Sequence, residues 1–177
     1  MAESLTGGMI AQSLSAAEAA GQWFRGSLVA YSAQVKHEVL GVPEGPVVSA
    51  EAAAAMARGV RSLLGADLAV AVTGAGGPSG QDDQPPGTVF LAVSDESGTR
   101  TYFRAFTGEP DEICAATAQA ALELLVSWLR AGPDHEGPDH EGPDHEGMED
   151  RMSGTDRHDA ADDDAARPVG DGAAAEP

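Results

Sequence analysis

Residues 1–131 of this sequence predict an α/β domain, a three-layer α/β/α sandwich with a mixed β-sheet, followed by a disordered C-terminal tail at 132–177. Three observations predict this. Segments with helical spacing of apolar residues alternate with short apolar runs of strand length. One run is apolar at nearly every position, as in the buried strands of a parallel sheet. Two later runs are joined by a short polar turn, as in an antiparallel hairpin, which makes the sheet mixed.

The first predicted elements are a helix, a short strand and a second helix. Residues 8–20 are rich in alanine, and their larger apolar side chains recur at helical spacing. Residues 27–31, Ser-Leu-Val-Ala-Tyr, form a short apolar run that is typical of a buried strand. A short helix is predicted over residues 32–40, because Gly41 and Pro43 follow it and both residue types end helices.

A longer helix and the most apolar strand come next. Ser49 is a favourable N-cap for a helix whose alanine-rich body covers residues 52–64, and Gly65 suits its C-terminal end. Residues 67–73, Asp-Leu-Ala-Val-Ala-Val-Thr, are apolar at successive positions rather than alternate ones. We therefore predict a strand that is buried on both faces of the sheet.

The last predicted elements are a hairpin and a helix. Residues 87–94 and 99–106 have the composition of strands and are joined by the polar turn Asp-Glu-Ser-Gly. Residues 111–129 predict the final helix. Its expected core stripe consists of Ile113, Leu122, Leu125, Val126 and Leu129.

The charge of the sequence is concentrated at its C-terminal end. Residues 1–131 contain 7 Lys and Arg against 14 Asp and Glu, whereas residues 132–177 contain 3 against 15. Neither part has the basic surface that binds phosphate backbones, so we predict no nucleic-acid partner. No run of about 18 apolar residues and no basic-then-apolar leader pattern occurs, so we expect no membrane partner and a cytoplasmic protein. The single cysteine, Cys114, suits a reducing compartment.

The tail begins with a perfect repeat. Gly-Pro-Asp-His-Glu occurs three times between residues 132 and 146, and a stretch rich in Asp, Ala, Gly and Pro follows. Glycine and proline at every repeat prevent a helix or strand from propagating, and the repeat has no apolar area to bury. Its His and Glu side chains are metal-ligand types, but a flexible repeat provides no fixed ligand geometry. We therefore predict no metal site and interpret the tail as solubilising.

Two segments place a reactive side chain where its chemistry would be favoured. Residues 2–8, Ala-Glu-Ser-Leu-Thr-Gly-Gly, put Ser4 before a helix, where unpaired N–H groups favour anions and help to ionise a nucleophile. The ordinary alternative is a hydroxyl that only caps the helix. Lys36 is the only lysine and follows the end of the first predicted strand. Desolvation there would make it a base, whereas most lysines are simply surface charges.

The third segment is 73–78, Thr-Gly-Ala-Gly-Gly-Pro, directly after the most apolar strand. Its glycines allow positive φ and let backbone N–H groups approach a ligand closely. The segment lacks both the Gly-Lys-Ser/Thr ending of a P-loop and the following helix of a dinucleotide fingerprint. A tight exit from the strand is the alternative interpretation.

Taken in this order, the segments resemble the C-terminal domain of the CinA (competence/damage-inducible) family. The resemblance covers nearly all of residues 1–131 and none of the tail. It rests on Ala-Glu-Ser-Leu-Thr-Gly-Gly at 2–8, Trp-Phe-Arg-Gly-Ser-Leu-Val-Ala-Tyr-Ser at 23–32, Lys36, Thr-Gly-Ala-Gly-Gly-Pro at 73–78, Pro-Gly-Thr-Val at 86–89, and Phe106 with Gly108. Members include nicotinamide-nucleotide amidases of pyridine nucleotide salvage, which hydrolyse nicotinamide mononucleotide to nicotinate mononucleotide and ammonia.

The resemblance implies an amidohydrolase with a small-molecule nucleotide substrate and no metal or organic cofactor. It implies that Ser4 is the nucleophile and Lys36 its base, with Tyr31 lining the site and Thr73 supplying a further hydroxyl. Such a base is needed because a serine is inert at neutral pH until its proton is removed. The expected substrate-binding residues are Thr6, Gly7, Gly8, Gly74, Gly76, Gly77 and Thr88, with N–H groups of the glycines as oxyanion donors.

Two departures from the family pattern bear on activity. Family members carry a helix and a strand ahead of the Glu-Ser motif, whereas this chain begins at the motif. We therefore expect the strand that leads to the nucleophile to be missing, this form to be weakly active, and the open sheet edge to favour a homo-oligomer. In addition, Pro110 stands where the family usually has an arginine, a residue suited to anchoring the substrate phosphate.

Two other interpretations stay open. A catalytically degraded family member would bind a nucleotide or a partner protein without hydrolysing anything. A general serine esterase fits the sequence less well, because no Gly-x-Ser-x-Gly elbow and no His–Asp pair occur in it.

Overall fold

The structure is a computed structural model that describes residues 1–131, all within one compact unit. The predicted disordered tail and its repeats lie outside the described residues. The described chain forms a five-stranded mixed sheet with helices packed on both faces. This confirms the predicted α/β class.

Five strands and five helices follow one another along the described chain. They are β1 (Ala2–Glu3), α1 (Met9–Ser15), α2 (Ala20–Trp23), β2 (Leu28–Val29), α3 (Ala33–Leu40), α4 (Ala50–Leu64), β3 (Ala69–Gly74), β4 (Thr88–Asp95), β5 (Gly98–Ala105) and α5 (Pro110–Ala131). The sheet order is β2-β1-β3-β4-β5, with β1 parallel to β2 and β3, and with β3, β4 and β5 antiparallel to one another. The carboxyl ends of the three parallel strands therefore meet at one edge of the sheet.

β1 is the element that the sequence did not predict. Ala2 pairs with Leu28 of β2 on one side and with Ala71 of β3 on the other. Ala2 and Glu3 are both completely buried. The expectation that no strand leads to Ser4 is therefore wrong, because the two-residue strand β1 leads to it and lies between β2 and β3 in the sheet. A segment this short carries no alternating pattern, so periodicity could not reveal it.

The single helix predicted over residues 8–20 is also wrong in extent. α1 ends at Ser15, and Ala19 adopts a positive φ of 56° before the four-residue α2 begins. Alanine-rich sequence favours a continuous helix. Only Ile10 and Leu14 of α1 are buried, however, so no apolar stripe continues past them to hold a longer helix against the core.

The helices α3 and α4 have the ends that the sequence predicts. Ser32 and Ser49 each accept a backbone N–H at their side-chain oxygen, at 3.3 and 3.1 Å. Gly41 and Gly65 end the two helices in the left-handed conformation, with φ of 67° and 57°. Both ends are stabilised locally, which explains why the sequence was sufficient to predict them.

β3 is buried on both faces, as predicted, and it separates two cores. Ala69 and Ala71 belong to the core formed with α3 and α4. Val70 and Val72 belong to the core formed with α1 and α5. Small residues on the first face allow the alanine-rich α4 to lie close to the sheet. The predicted three-layer arrangement is therefore confirmed.

The core stripe predicted for α5 is mostly wrong. Ile113 is buried as predicted, but Val126 and Leu129 are 43% and 68% exposed. Leu122 and Leu125 are only partly buried against the core. The buried stripe instead runs through Ile113, Thr117, Ala118, Ala121, Leu124 and Trp128. Two apolar stripes lie side by side on this helix, and the one that contains Thr117, Ala118 and Ala121 faces the sheet. By length and composition alone, α5 is also apolar enough to cross a membrane.

Candidate functional site

A cleft of about 290 Å³ lies at the carboxyl ends of β1, β2 and β3. Open α/β sheets bind ligands at this edge, where loops leave neighbouring parallel strands. The cleft is lined by Ser4, Leu5, Tyr31, the glycine-rich segment 74–77, residues 79–81, Pro110 and Cys114. Five of the predicted site residues are among them: Ser4, Tyr31, Gly74, Gly76 and Gly77.

Glu3 organises the turn that carries Ser4. Its buried carboxylate accepts hydrogen bonds from Thr6 Oγ1 at 2.7 Å and from the N–H groups of Gly8, Ile10 and Ala11 at 3.0, 3.1 and 2.8 Å. These N–H groups belong to the start of α1, so Glu3 caps that helix and neutralises its positive end. The field expected at the helix start therefore acts on Glu3 rather than on Ser4.

Ser4 directly follows β1 and lines the cleft. Its hydroxyl makes no hydrogen bond to any other residue in the described part of the chain. The N–H of Gly7 donates to the Ser4 carbonyl at 3.1 Å, and that of Gly8 donates to Glu3. Thr6, Gly7 and Gly8, all predicted to bind substrate, thus shape the turn and do not line the cleft.

Lys36 is held inside the protein on α3, with 1% of its surface exposed. Its Nζ donates to the backbone carbonyl of Tyr31 at 3.2 Å, and Tyr31 lines the cleft. Burial lowers the pKa of Lys36 from its ordinary value of 10.5, and the negative charge of Asp82 opposes that fall. A lysine with a lowered pKa loses its proton more readily, and its neutral amine can then act as a base. Lys36 therefore reaches the cleft through Tyr31, and does not line it directly.

Thr73 and Thr88 support the wall of the cleft without lining it. Thr73 Oγ1 donates to the carbonyl of Val47 at 2.6 Å, which ties β3 to the loop between α3 and α4. The Thr88 carbonyl accepts the N–H of Ala75 at 2.9 Å, at the start of β4. Both threonines are buried, so they hold the loop after β3 in place.

The glycine-rich segment after β3 brings backbone close to the cleft. A Cβ at Gly74 would lie 2.6 Å from the Thr88 carbonyl oxygen, so only glycine allows β3 and β4 to approach this closely. Gly77 has a positive φ of 84°. The N–H groups of Gly76 and Gly77 have no hydrogen-bond partner among residues 1–131. These two N–H groups are therefore available to a ligand in the cleft.

Sequence reasoning missed part of the cleft. Cys114, in the first turns of α5, donates its thiol to the carbonyl of Leu5, which is 109 positions away along the chain. Burial raises the pKa of Cys114, and the charge of Asp111 raises it further. Ser79, Gly80 and Gln81 also line the cleft. No local pattern marks these residues, because only the fold brings them beside Ser4.

Two further features of the described residues bear on the choice of site. A second hollow of about 300 Å³ lies at the opposite edge of the sheet, lined mainly by apolar side chains such as Phe24, Leu64 and Leu125. It contains neither a serine nor a lysine. In residues 1–131 no group of three or more His, Cys, Asp or Glu side chains is arranged to hold a metal ion.

Comparison with known proteins identifies a family. A family model described as the CinA C-terminal domain matches residues 1–129. The CinA-like protein of Geobacter sulfurreducens is 45% identical over 136 residues, which cover 73% of this chain and 32% of that protein. The CinA-like protein of Frankia casuarinae is 40% identical over 141 residues, or 77% of this chain and 33% of that protein. The chain thus spans about a third of the length of these curated relatives.

Solved structures agree with the sequence comparison. The competence damage-inducible protein A of Klebsiella pneumoniae superposes with a TM-score of 0.70 at 33% identity, covering 73% of this chain and 84% of that one. The competence/damage inducible protein CihA of Agrobacterium tumefaciens gives a TM-score of 0.64 at 34% identity, covering 71% and 81%. Fold and sequence therefore point to the same family.

Proposed function

The chain belongs to the CinA C-terminal domain family, and on that premise we propose that it hydrolyses the carboxamide of nicotinamide mononucleotide to nicotinate mononucleotide and ammonia. One observation carries the proposal. Ser4, with an unengaged hydroxyl, lines the cleft beside Tyr31, and Tyr31 holds the buried amine of the only lysine. A nucleophile and a base with a lowered pKa at one cleft are what an amide-cleaving serine enzyme needs.

The chemistry uses Ser4 and Lys36 in turn. Ser4 Oγ adds to the carboxamide carbon while Lys36 Nζ takes the hydroxyl proton. The C–N bond then breaks, and this proton leaves with the amide nitrogen as ammonia. Water adds to the resulting ester with Lys36 again as base, and cleavage of the acyl bond returns the proton to Ser4 and releases the carboxylic acid. The neutral amine of Lys36 can donate to the Tyr31 carbonyl and still offer its lone pair to the proton of Ser4. The hydrogen bond between the two side chains is expected to form once substrate is bound.

Backbone groups supply the electrostatic part of the mechanism. The free N–H groups of Gly76 and Gly77 are suited to the oxyanion, and each well-placed donor is typically worth ~3 kcal/mol of transition-state stabilisation. The first turn of α5 carries Pro110 and Cys114 at the cleft, and the positive end of a helix favours a phosphate there. Neither contribution requires a metal.

Ammonia release from nicotinamide mononucleotide by the full 177-residue chain tests the proposal. Ser4→Ala and Lys36→Ala should each lower kcat by at least about a thousandfold, and the double variant should be scarcely worse, because residues acting as one unit are non-additive. Lys36→Arg should fail as well, since a guanidinium stays protonated. Activity of the unsubstituted chain should rise with pH as Lys36 loses its proton.

Ser13→Ala is the matched control, because Ser13 is exposed on α1 and only donates to a backbone carbonyl of its own helix. It should keep full activity. A folded Lys36→Ala variant that retains most activity would contradict the Ser–Lys mechanism.

A binding function without hydrolysis is the second candidate. The observation that favours it is that the Ser4 hydroxyl makes no hydrogen bond to any other described residue, so no base engages it in the ligand-free state. Calorimetric titration with nicotinamide mononucleotide separates the two functions. Tight binding with no ammonia release would support the binding function and contradict the amidase.

A further inference from the structure

Asp82 makes two hydrogen bonds that no motif accounts for. Its Oδ2 accepts the backbone N–H groups of Val47 and Val48 at 2.7 and 2.8 Å. The carbonyl of Val47 is held in turn by Thr73 Oγ1 at 2.6 Å. Both backbone polar groups of Val47 are therefore bonded, the carbonyl to Thr73 of β3 and the N–H to Asp82 of the loop that follows β3. These two bonds fasten the loop between α3 and α4.

The geometry of the turn places Asp82 next to the cleft. Gln81 and Gln84 exchange backbone hydrogen bonds at 3.0 and 2.9 Å, and the two residues between them, Asp82 and Asp83, have φ of 53° and 60°. Two successive positive φ values define a two-residue turn for which Asp, Asn and Gly are suited. Gln81 itself lines the cleft, so the Asp82 bonds hold one cleft wall against the α3–α4 loop.

Asp82 also provides the negative charge that acts on Lys36. Two titratable side chains of β1 and α3 make contacts elsewhere. Glu3 of β1 accepts donors from the start of α1, and the ring of His37 on α3 faces the Val42 carbonyl. Tyr31 offers Lys36 only its carbonyl. The carboxylate at the tip of the turn is therefore the charge that favours the ammonium form of the lysine.

We propose that Asp82 is a positioning residue of this site, which fastens the loop after β3, one wall of the cleft, to the α3–α4 loop and through its negative charge favours the ammonium form of Lys36. The importance of Asp82 for catalysis rests on the proposed amidase function, whereas its bonds to the α3–α4 loop and its effect on Lys36 do not. Asp82 touches neither Ser4 nor a substrate, so it acts only through Lys36 and through the cleft wall.

The charge is tested with Asp82→Asn in the full chain, because asparagine tolerates positive φ and its Oδ1 can still accept both N–H groups. Asp83→Asn is the matched control: Asp83 is the other exposed residue of the same turn. Lys36 is the only lysine, so selective ¹³C labelling of lysine gives one side-chain Cε signal whose pH titration reports its pKa. At low ionic strength, where exposed charges are least screened, Asp82→Asn should move this titration to lower pH and Asp83→Asn should not.

This readout does not need turnover, so it separates the two proposals. If the chain releases ammonia, the rising limb of kcat/KM against pH should move to lower pH in Asp82→Asn by the same amount as the NMR titration. The NMR titration could move although neither the unsubstituted chain nor any variant releases ammonia. That result would contradict the amidase proposal and support the positioning role of Asp82. An unshifted Lys36 titration in a folded Asp82→Asn variant overturns the charge role.

The fastening is tested with Asp82→Gly, which removes the carboxylate without straining the turn, against Asp83→Gly. Loss of both bonds should weaken binding of nicotinamide mononucleotide about tenfold, close to the net free energy of one hydrogen bond to a charged group. Amide hydrogen exchange at Val47 and Val48 should accelerate in Asp82→Gly only. Unchanged exchange at these two amides overturns the fastening role, whatever the activity.

Discussion

Lys36 is a cation placed where proteins rarely place one. It is buried to 1% exposure, its Nζ donates a hydrogen bond to a backbone carbonyl, and burial lowers its pKa. An ammonium that is desolvated and incompletely compensated costs folding free energy. A group that reduces stability in this way is expected at a functional site, where the cost is offset by reactivity.

Replacing Lys36 with methionine should therefore stabilise the fold while abolishing activity. The gain should be roughly 1 kcal/mol or more at neutral pH, because a methionine of similar length needs no solvation. It should shrink as pH rises toward the ordinary lysine value of 10.5, since above that pH the lysine is neutral in both the folded and the unfolded chain. Urea unfolding of both proteins at pH 7 and pH 10 measures this difference.

Arg58→Met is the control, because Arg58 is a cation exposed on α4. Its effect on stability should be small and should not change with pH between 7 and 10. A stability gap for Lys36→Met that stays constant over this pH range would show that charge burial is not its cause.

Pro110 lies at the cleft, where the resemblance to the family leads us to expect an arginine. It begins α5, where its missing N–H is no loss, and it lines the cleft. An arginine at this position would reach the same space with a guanidinium that binds phosphate in a bidentate manner. The acidic residues Asp111 and Glu112 follow it directly, and Pro110 has no positive charge to balance theirs.

Pro110→Arg should lower the KM for nicotinamide mononucleotide about tenfold, as expected for a charge-assisted contact. Nicotinamide riboside, which lacks the phosphate, is the matched control substrate and should show no such gain. Steady-state ammonia release with both substrates decides the point. An equal gain for both would exclude phosphate anchoring as the reason.

At the scale of elements, the packing of α4 on α3 depends on one small residue. A Cβ at Gly59 would lie 2.2 Å from the carbonyl oxygen of Leu40, the last residue of α3. Glycine inside a helix normally costs about 0.5–1 kcal/mol relative to alanine. Its presence at mid-helix is explained by the contact: α4 approaches the end of α3 through the space that a side chain would fill.

Gly59→Ala should thus destabilise the protein although alanine is the better helix former. Overpacking against backbone typically costs about 1–3 kcal/mol, which corresponds to a fall in Tm of roughly 5 °C or more for a domain of this size. Gly21→Ala in α2 is the control, because a Cβ there meets no atom within 4 Å. In thermal unfolding, the Tm of Gly59→Ala should fall, whereas the Tm of Gly21→Ala should rise or stay unchanged.

At the scale of the whole molecule, two parts of one chain differ in composition. Residues 1–131 supply the apolar side chains of two cores, one on each face of the sheet. Residues 132–177, outside the described residues, have little but charge, glycine, alanine and proline. Oligomeric state stays a prediction, which light scattering of the purified chain can measure.

The sequence predicts that residues 132–177 can be removed without cost to the folded domain. Limited digestion with a broad-specificity protease should trim the chain to about residue 131, and the trimmed protein should melt at the same temperature as the full chain. Mass spectrometry of the product and calorimetry of both forms check this. Protection of the Gly-Pro-Asp-His-Glu repeats would contradict it.

Local signals explain which elements the sequence could predict. Ser49 and Gly65 stabilise the ends of α4 within a few residues of chain, and the uninterrupted apolar run of β3 follows from burial on both faces. The segments that contain Ser4, Lys36 and residues 73–78 are predicted to form the site because their residue types are informative in themselves. These segments do not show how far apart their side chains lie in the folded protein.

The sequence by itself therefore determined the fold class, the ends of α3 and α4, the hairpin and the family. Tertiary structure alone decided that Ala2–Glu3 form a strand between β2 and β3, and which of two apolar stripes on α5 faces the sheet. It also decided that Glu3 caps α1 and that Asp82 acts on Lys36. The physical reason is range: caps and strand periodicity act over a few residues, whereas burial and charge interactions depend on groups that only the folded chain brings together.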